Sequence, residues 1–250
     1  MSRDLEFGTA LRELRSAQKS AKGVSLYSRH INRPAGRLLA AMAFRIGLTP
    51  NQVTVVSAAF SFFAVAMLAS VRPSWPLAFS VYLSLAIGFA FDSADGQLAR
   101  LRGESSAAGE WLDHVVDCAK ITALHTAVLI SFYRSFDLPG RSWLLLPPAF
   151  QLAALLIFFG GLLADKLKPK TVKGATAAPL ATPSPMRSVV LLPVDYGVFC
   201  AVFLLLGNEH AFLVGYALLF AAHALFLAAF MAKWFRELTA IRPEQGARVD

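Results

Sequence analysis

The sequence predicts an all-α integral membrane protein, in which six transmembrane helices follow an N-terminal amphipathic interfacial helix. Hydrophobic residues make up 56% of the 250-residue chain, and the mean hydropathy is +0.54. Charged residues account for only 16%, whereas soluble globular domains contain roughly 25%. The apolar residues also fall in runs that can cross a bilayer, which takes about 20 residues in a helix.

The first predicted element is the segment 27–44, where arginines are mixed with apolar residues. Arg29 and Arg33 can separate from Leu38 and Met42 on the surface of a helix. This arrangement is typical of helices that lie in the plane of the membrane surface. A plain cytosolic helix is the alternative that the pattern leaves open.

Six apolar segments follow and are the predicted transmembrane spans. They comprise residues 53–71, 75–91, 112–132, 143–163, 189–206 and 211–231. Between the fourth and fifth spans, residues 166–188 are first basic and then rich in Pro, Ala and Thr, a composition that predicts a loop. The predicted organisation is a cytoplasmic N-terminal segment 1–33 that includes the start of the interfacial helix, a transmembrane domain 34–235 and a cytoplasmic tail 236–250.

The positive residues behind the net charge of +8 are distributed as the predicted membrane topology requires. Most of the 24 Lys and Arg residues lie on one side of the six spans, the side that the positive-inside rule places in the cytoplasm. We therefore expect a multi-pass protein of the cell membrane with both termini in the cytoplasm. Residues 1–22 lack the apolar region of a signal peptide. No nucleic-acid-binding motif accompanies the charge, so we expect no nucleic-acid partner.

Four carboxylates lie at the cytoplasmic ends of the second and third predicted spans. Asp92 and Asp95 are three residues apart, and Asp113 and Asp117 are four apart, so each pair shares one helical face. Carboxylates at this depth are costly, and four facing one pocket would repel each other unless cations bind. Oxygen ligands favour Mg²⁺ or Mn²⁺ and are also compatible with Ca²⁺. Such a site can hold two ions, an arrangement that assists phosphoryl displacement.

The four aspartates belong to a longer pattern, D-x2-D-G-x2-A-R-x8-G-x3-D-x3-D, which runs from Asp92 to Asp117. At a background of about 6% per residue, a chance match at one start is on the order of one in ten billion. The two glycines, Gly96 and Gly109, leave room beside the acids for a bulky ligand. Arg100 can reach a phosphate or one of the carboxylates.

This pattern resembles the signature of the CDP-alcohol phosphotransferase (CDP-alcohol phosphatidyltransferase) family, and residues 48–54 resemble the family's segment before its first span. Family members transfer a phospho-alcohol from a CDP-linked alcohol to a second hydroxyl and release CMP. The resemblance implies metal binding by Asp92, Asp95, Asp113 and Asp117, with Asp117 also the general base. It implies a CDP site lined by Asn51, Thr54, Gly96, Ala99, Arg100, Ser106 and Gly109. It also implies a homodimer.

The sequence does not identify the donor alcohol or the acceptor alcohol. Residues 105–117 are similar to the variant found in choline and ethanolamine phosphotransferases, whose acceptor is diacylglycerol. The alternatives are CDP-diacylglycerol as donor to a polar head group, and transfer from CDP-inositol phosphate to a soluble phosphorylated polyol. Lys120 and Arg187 are candidates for binding an acceptor phosphate, although for Lys120 the sequence favours the alternative role of neutralising the carboxylates.

Two alternatives outside this enzyme class also follow from the sequence. A small transporter would carry acids near the middle of the membrane and symmetric broken helices, whereas these acids cluster at one face. An inactive scaffold would usually have lost at least one aspartate, and all four are present.

Overall fold

The computed structural model describes Leu14, residues 26–168 and residues 185–241, apart from the side chains of Pro185 and Arg187. Most of the predicted N-terminal segment, most of the loop 166–188 and most of the tail therefore lie outside the described residues. Within the described residues the regular structure is entirely helical. The α-helices are α1 Arg33–Arg45, α2 Pro50–Ser70, α3 Trp75–Arg102, α4 Ala107–Ser135, α5 Leu146–Leu167, α6 Pro185–Val190, α7 Tyr196–Val202 and α8 Glu209–Thr239.

Helix α1 corresponds to the predicted interfacial helix and follows a π-helical turn, Ser28–Asn32. Its small residues Gly36 and Ala40 are buried, and the helix packs against α3. Leu38 and Met42 are exposed. Apolar side chains exposed beside membrane-spanning helices are suited to contact with lipid.

Capping residues determine where the helices around the acidic motif begin and end. Thr49 Oγ1 accepts a hydrogen bond from the Gln52 N–H at 3.3 Å, and Gln52 Oε1 accepts one from the Thr49 N–H at 2.8 Å, which forms a capping box at the start of α2. Helix α3 ends at Gly103, whose φ of +67° suits glycine. Ser106 Oγ accepts from the Gly109 N–H at 3.0 Å and begins α4. The short turn between α3 and α4 brings the two acid-bearing segments to the same end of the structure.

Helices α2 and α3 approach each other closely at Gly88. A Cβ atom on this residue would lie 2.6 Å from Ser61 Oγ and 3.1 Å from the Ser57 carbonyl oxygen. The Gly88 carbonyl also accepts a hydrogen bond from Ser57 Oγ at 2.8 Å. Small residues allow membrane helices to pack at this distance, and the contact holds α2 against the acid-bearing helix α3.

Among the residues that the structure describes, five helical stretches are long and apolar enough to cross a membrane, which makes this a multi-pass membrane protein. They are Pro50–Ser70, Trp75–Arg102, Ala107–Ser135, Arg141–Leu167 and Glu209–Thr239. They account for five of the six predicted spans. The stretch Arg141–Leu167 joins a 3₁₀ turn, Arg141–Leu145, to α5.

The remaining predicted span, 189–206, is not one continuous helix. It is divided among the end of α6, a 3₁₀ turn at Leu192–Val194, α7 and a second 3₁₀ turn at Phe203–Gly207. Pro193 lacks the N–H that a continuing helix needs. Asp195 then caps a new helix, because its Oδ1 accepts from the Gly197 N–H at 2.7 Å. Within the described residues, the six predicted spans therefore correspond to five long helices and one broken segment.

An aromatic core joins this broken segment to the long helices. Phe132 of α4, Phe150 of α5, Phe203 and Tyr216 are fully buried and belong to one hydrophobic cluster. Ring contacts link them, including Phe150 with Tyr216 at a centroid distance of 5.0 Å. The cluster fixes α7 and α8 against the part of α4 that follows the acidic motif.

Candidate active site

Helices α3 and α4 bring three carboxylates together. One oxygen from each of Asp92, Asp113 and Asp117 lies within 4.8 Å of the others. Asp92 comes from α3, and the other two come from successive turns of α4. Carboxylate oxygens at this separation can converge on a divalent cation, so these residues fit the metal that the sequence predicts.

Asp95, the fourth predicted ligand, points to different partners. Its Oδ2 accepts a hydrogen bond from Thr54 Oγ1 at 2.6 Å, and its Oδ1 accepts from the Gly96 N–H. The side chain is buried and lies outside the three-carboxylate group. Thr54, predicted to contact CDP, is therefore also a direct partner of a predicted metal ligand.

Lys120 bonds directly to the acid cluster. Its Nζ forms an ion pair with Asp92, lies 3.1 Å from Asp117 Oδ1 and donates to Ser57 Oγ at 3.0 Å. The lysine side chain is only 7% exposed, compared with 22% for Asp92 and 27% for Asp117. A buried ammonium needs such partners. Of the two roles that the sequence leaves open for Lys120, these contacts favour neutralisation of the carboxylates.

A polar cavity of about 600 Å³ lies beside the acid cluster. All seven residues that the resemblance implies for the CDP site line it, namely Asn51, Thr54, Gly96, Ala99, Arg100, Ser106 and Gly109. Asp95 and Asp113 line the same cavity. A Cβ atom on Gly109 would lie 3.1 Å from Asn51 Oδ1, so a larger residue there would crowd the cavity wall.

The guanidinium of Arg100 lies next to Gly96. A Cβ atom on Gly96 would be 3.5 Å from Arg100 Nη1. The positive group therefore lies at the wall of the polar cavity, about one helical turn from Gly96. A guanidinium in this position can offer several N–H donors to a phosphate.

Helix α1 contributes further positive charge beside α3. Gln97 Nε2 donates to the Arg33 carbonyl oxygen at 3.2 Å, which ties the start of α1 to α3. Burial lowers the pKa of Arg33, and the charge of nearby Arg29 lowers it further. An arginine still stays protonated in proteins, so the charge remains.

A second, apolar cavity of about 290 Å³ also adjoins the acids. Asp92, Asp117 and Lys120 form its polar part. Most of the remaining wall is aliphatic and aromatic and includes Phe89, Ile121, Leu124, Phe150, Ile157 and Phe199. Among the described residues, the two cavities share no lining side chain. The acid cluster therefore lies between a polar and an apolar cavity.

The apolar cavity does not follow from the sequence, because six helices contribute to its wall, with α4 providing Lys120 and Leu124. Ser61 and Phe89 come from α2 and α3, whereas Phe150, Phe199 and His223 come from α5, α7 and α8. No local pattern connects these positions. The sequence feature that could have indicated this cavity is the presence of polar residues within apolar spans, such as His223. The side chain of Arg187, the other candidate for acceptor binding, lies outside the described residues.

Comparison with known proteins identifies the family. The sequence model of the CDP-alcohol phosphatidyltransferase family matches residues 47–238, a range that contains both cavities and the whole acidic motif. The chain belongs to this family. The predicted family is therefore confirmed, and so is the predicted enzyme class. Membership implies CDP-alcohol phosphotransferase activity, and the family is one of phospholipid synthesis.

Solved structures show the same fold for this CDP-alcohol phosphatidyltransferase. Phosphatidylinositol phosphate synthase (PgsA1) of Mycobacterium tuberculosis with CDP-DAG bound is 21% identical, with a TM-score of 0.55 over 82% of this chain and 94% of that chain. The same synthase in complex with manganese and citrate is 19% identical, with a TM-score of 0.55 over 82% and 89% of the two chains. No curated protein sequence matches the chain.

Proposed function

We propose that this enzyme transfers a phospho-alcohol from a CDP-alcohol to an acceptor hydroxyl, in a metal-dependent reaction of phospholipid synthesis that releases CMP. The observation that carries the proposal is the position of the acid cluster between two cavities of opposite polarity. A donor whose nucleotide occupies the polar cavity would have its phosphates at the acids. An acceptor in the apolar cavity would place its hydroxyl next to the donor phosphates at the acid cluster.

Asp92, Asp95, Asp113 and Asp117 are the proposed ligands of Mg²⁺ or Mn²⁺, with two ions per site, and the same oxygens are compatible with Ca²⁺. The proximity of three of these carboxylates supports the assignment. Manganese in the solved structure of the similar synthase supports it as well. When bound, the ions offset the negative charge that develops on the phosphates during displacement.

The protein side chains have separate roles in the proposed transfer. Asp117 accepts the proton of the acceptor hydroxyl as the acceptor oxygen bonds to the β-phosphorus of the donor. The bond from that phosphorus to the oxygen bridging toward the α-phosphate breaks, and its electron pair leaves with CMP. Arg100 holds a donor phosphate through its N–H groups. Gly96 and Gly109 leave space for the nucleotide in the polar cavity.

A CMP-release assay tests both the reaction and the donor site. With Mn²⁺ present, we expect CMP from at least one of CDP-choline, CDP-ethanolamine, CDP-diacylglycerol and CDP-inositol phosphate, each supplied with matched acceptors. Arg100→Ala removes charge-assisted hydrogen bonds and is expected to raise the KM for the donor about 10- to 100-fold.

Arg102→Ala is the matched control for this prediction. Arg102 is two residues further along α3, pairs with the exposed Glu104 at 3.7 Å and does not line the polar cavity. Its substitution is expected to leave the donor KM within twofold of the wild type. Equal effects of the two substitutions contradict the role of Arg100. Failure of every donor to release CMP contradicts the proposed reaction.

The membrane arrangement completes the proposal. We propose six crossings, with both termini and the acid cluster at the cytoplasmic face. In this arrangement the segment 189–206 crosses as a broken helix, which is tolerated where irregular backbone packs against protein.

We also propose that the catalytic region comprises residues 34–235 and that the protein assembles as a homodimer. In intact cells, an impermeant maleimide should label Arg72→Cys but not Glu104→Cys, and cross-linking of purified protein would test the dimer.

A further inference from the structure

Asp195 ties the break in the segment 189–206 to the interfacial segment near the start of the chain. The residue is only 7% exposed, and its two oxygens bond to different elements. Oδ1 accepts from the Gly197 N–H at 2.7 Å, which caps α7. Oδ2 accepts a hydrogen bond from Ser28 Oγ at 2.7 Å, and Ser28 begins the π-helical turn before α1. The second bond joins residues that are 167 positions apart in the chain.

Tyr27, the residue before Ser28, fits against the same point of the broken segment. Gly197 is buried, and a Cβ atom added to it would overlap the Tyr27 ring at Cδ1 and Cε1 and lie 2.7 Å from its Cζ. The ring also stacks on Phe89, with a centroid distance of 6.4 Å and an interplanar angle of 14°. The contacts Ser28–Asp195 and Tyr27–Gly197 together form a clasp between the interfacial segment and α7.

Helix α7 depends on tertiary contacts for its position. It has 7 residues, Tyr196–Val202, and lies between two 3₁₀ turns. Isolated helices shorter than about 12–15 residues are marginal in water, because too few hydrogen bonds offset the cost of nucleation. The aromatic core packs against its later residues, including Phe199 and Val202. The clasp acts at its first turn.

The first turn of α7 carries part of the apolar cavity wall. Val194 and Tyr196, one on each side of the cap residue, both line the cavity. Phe89, on which Tyr27 stacks, lines it as well and contacts the Tyr196 ring at a centroid distance of 5.0 Å. Tyr27 and Ser28 line neither cavity. They can therefore influence the apolar cavity only through the residues that they hold in place.

We propose that Tyr27 and Ser28 are positioning residues, which hold the first turn of α7 where the wall of the apolar cavity requires it. The interfacial segment thereby determines how well the acceptor is bound, although its own residues line neither cavity. Loosening the clasp changes the acceptor side of the reaction and leaves the polar cavity intact. The part of this inference that concerns the acceptor rests on the proposed function.

The two cysteines of the chain allow a test that needs no substrate. Cys200 in α7 is buried, whereas Cys118 in α4 is exposed. Purified full-length protein in detergent would be treated with N-ethylmaleimide, and the labelling of each cysteine followed by peptide mass spectrometry. Ser28→Ala removes the donor to Asp195 and is expected to raise the labelling rate of Cys200 about five- to tenfold, because local opening becomes more frequent. The rate at Cys118 should stay unchanged.

Matched variants separate the hydrogen bond from other effects of substitution. Ser28→Thr keeps a hydroxyl group and should hold the Cys200 rate within about twofold of the wild type. Ser142→Ala removes an exposed hydroxyl from the 3₁₀ turn Arg141–Leu145 and should have no effect. A Cys200 rate in Ser28→Ala equal to that of the wild type, or a rate in Ser28→Thr as high as in Ser28→Ala, overturns the role of Ser28.

Compensation tests the contact between Tyr27 and Gly197. Gly197→Ala places a methyl group where the ring lies and is expected to raise Cys200 labelling at least about tenfold. In the Tyr27→Ala background the methyl group has room, so the same substitution should change the rate by less than about twofold. If Gly197→Ala alone yields no folded protein, recovery of folded protein in the double variant supports the contact equally. Effects that simply multiply, or no recovery, overturn it.

Steady-state kinetics extends the test to the reaction. With the donor and acceptor pair that releases CMP in the assay described above, Ser28→Ala is expected to raise the acceptor KM about three- to tenfold and to leave the donor KM within about twofold. A lower kcat with both KM values unchanged, or an equal rise in both, overturns the positioning role. Absence of CMP from every pair contradicts the proposed function, whereas the Cys200 labelling still decides whether the clasp holds α7.

Discussion

Asp117→Asn is expected to lower the rate of CMP formation about 10²- to 10⁴-fold, the range associated with loss of a general base. Asparagine has nearly the same shape as aspartate, but it cannot accept the proton of the acceptor hydroxyl. The substitution also removes one negative charge from a group whose oxygens lie within 4.8 Å of one another. Single-turnover CMP release at saturating donor, acceptor and Mn²⁺ measures the chemical step separately from binding.

Asp165→Asn is the control for this substitution. Asp165 is an exposed residue of α5 and lines neither cavity. Its substitution is expected to leave the single-turnover rate within twofold of the wild type. A rate for Asp117→Asn above about a tenth of the wild-type value would contradict the assigned role.

Lys120→Met is expected to destabilise the metal-free protein by about 3–5 kcal/mol, the range for removing one partner of a buried ion pair. The substitution leaves Asp92 and Asp117 close together without their ammonium partner. For a protein of this size the loss corresponds to a fall in Tm on the order of 10 °C. Thermal unfolding in detergent with EDTA would measure it. Added Mn²⁺ should restore part of the stability, because ions bound to the folded state stabilise it.

Lys166→Met provides the comparison. Lys166 pairs with Glu110 at 2.6 Å, but both side chains are about half exposed. Exposed pairs contribute about 0–1 kcal/mol, so the Tm should change by only a few degrees. If Lys120→Met has as small an effect as Lys166→Met, Lys120 does not neutralise the cluster. The hypothesis that it binds an acceptor phosphate would then be favoured.

The acidic site could be predicted largely from spacing. Residues three or four apart share a helical face, which agrees with the proximity of Asp113 and Asp117 in α4. The proximity of Asp92 depends on tertiary structure, because it comes from a different helix. The position of Asp95 could not be predicted in this way. Its carboxylate is held by Thr54, 41 residues earlier in the chain, and a contact between two helices does not follow from the periodicity of either.

The broken segment 189–206 shows the limit of hydropathy. Its residues are apolar enough for a span, but Pro193 and the cap at Asp195 divide the helix. Average hydropathy is insensitive to such local breaks. The division matters for function, because it places Val194, Tyr196 and Phe199 in the wall of the apolar cavity. The family resemblance indicated the acids and the residues that line the polar cavity, whereas tertiary packing determined the second cavity.

The central claim is that the acid cluster carries out phospho-alcohol transfer with bound divalent ions. The most direct test is CMP release by one purified sample before EDTA, after EDTA and after addition of Mn²⁺ in excess of the chelator. We expect release to fall below detection with EDTA and to return with Mn²⁺, with no return in Asp117→Asn. Undiminished CMP release in EDTA would contradict the claim.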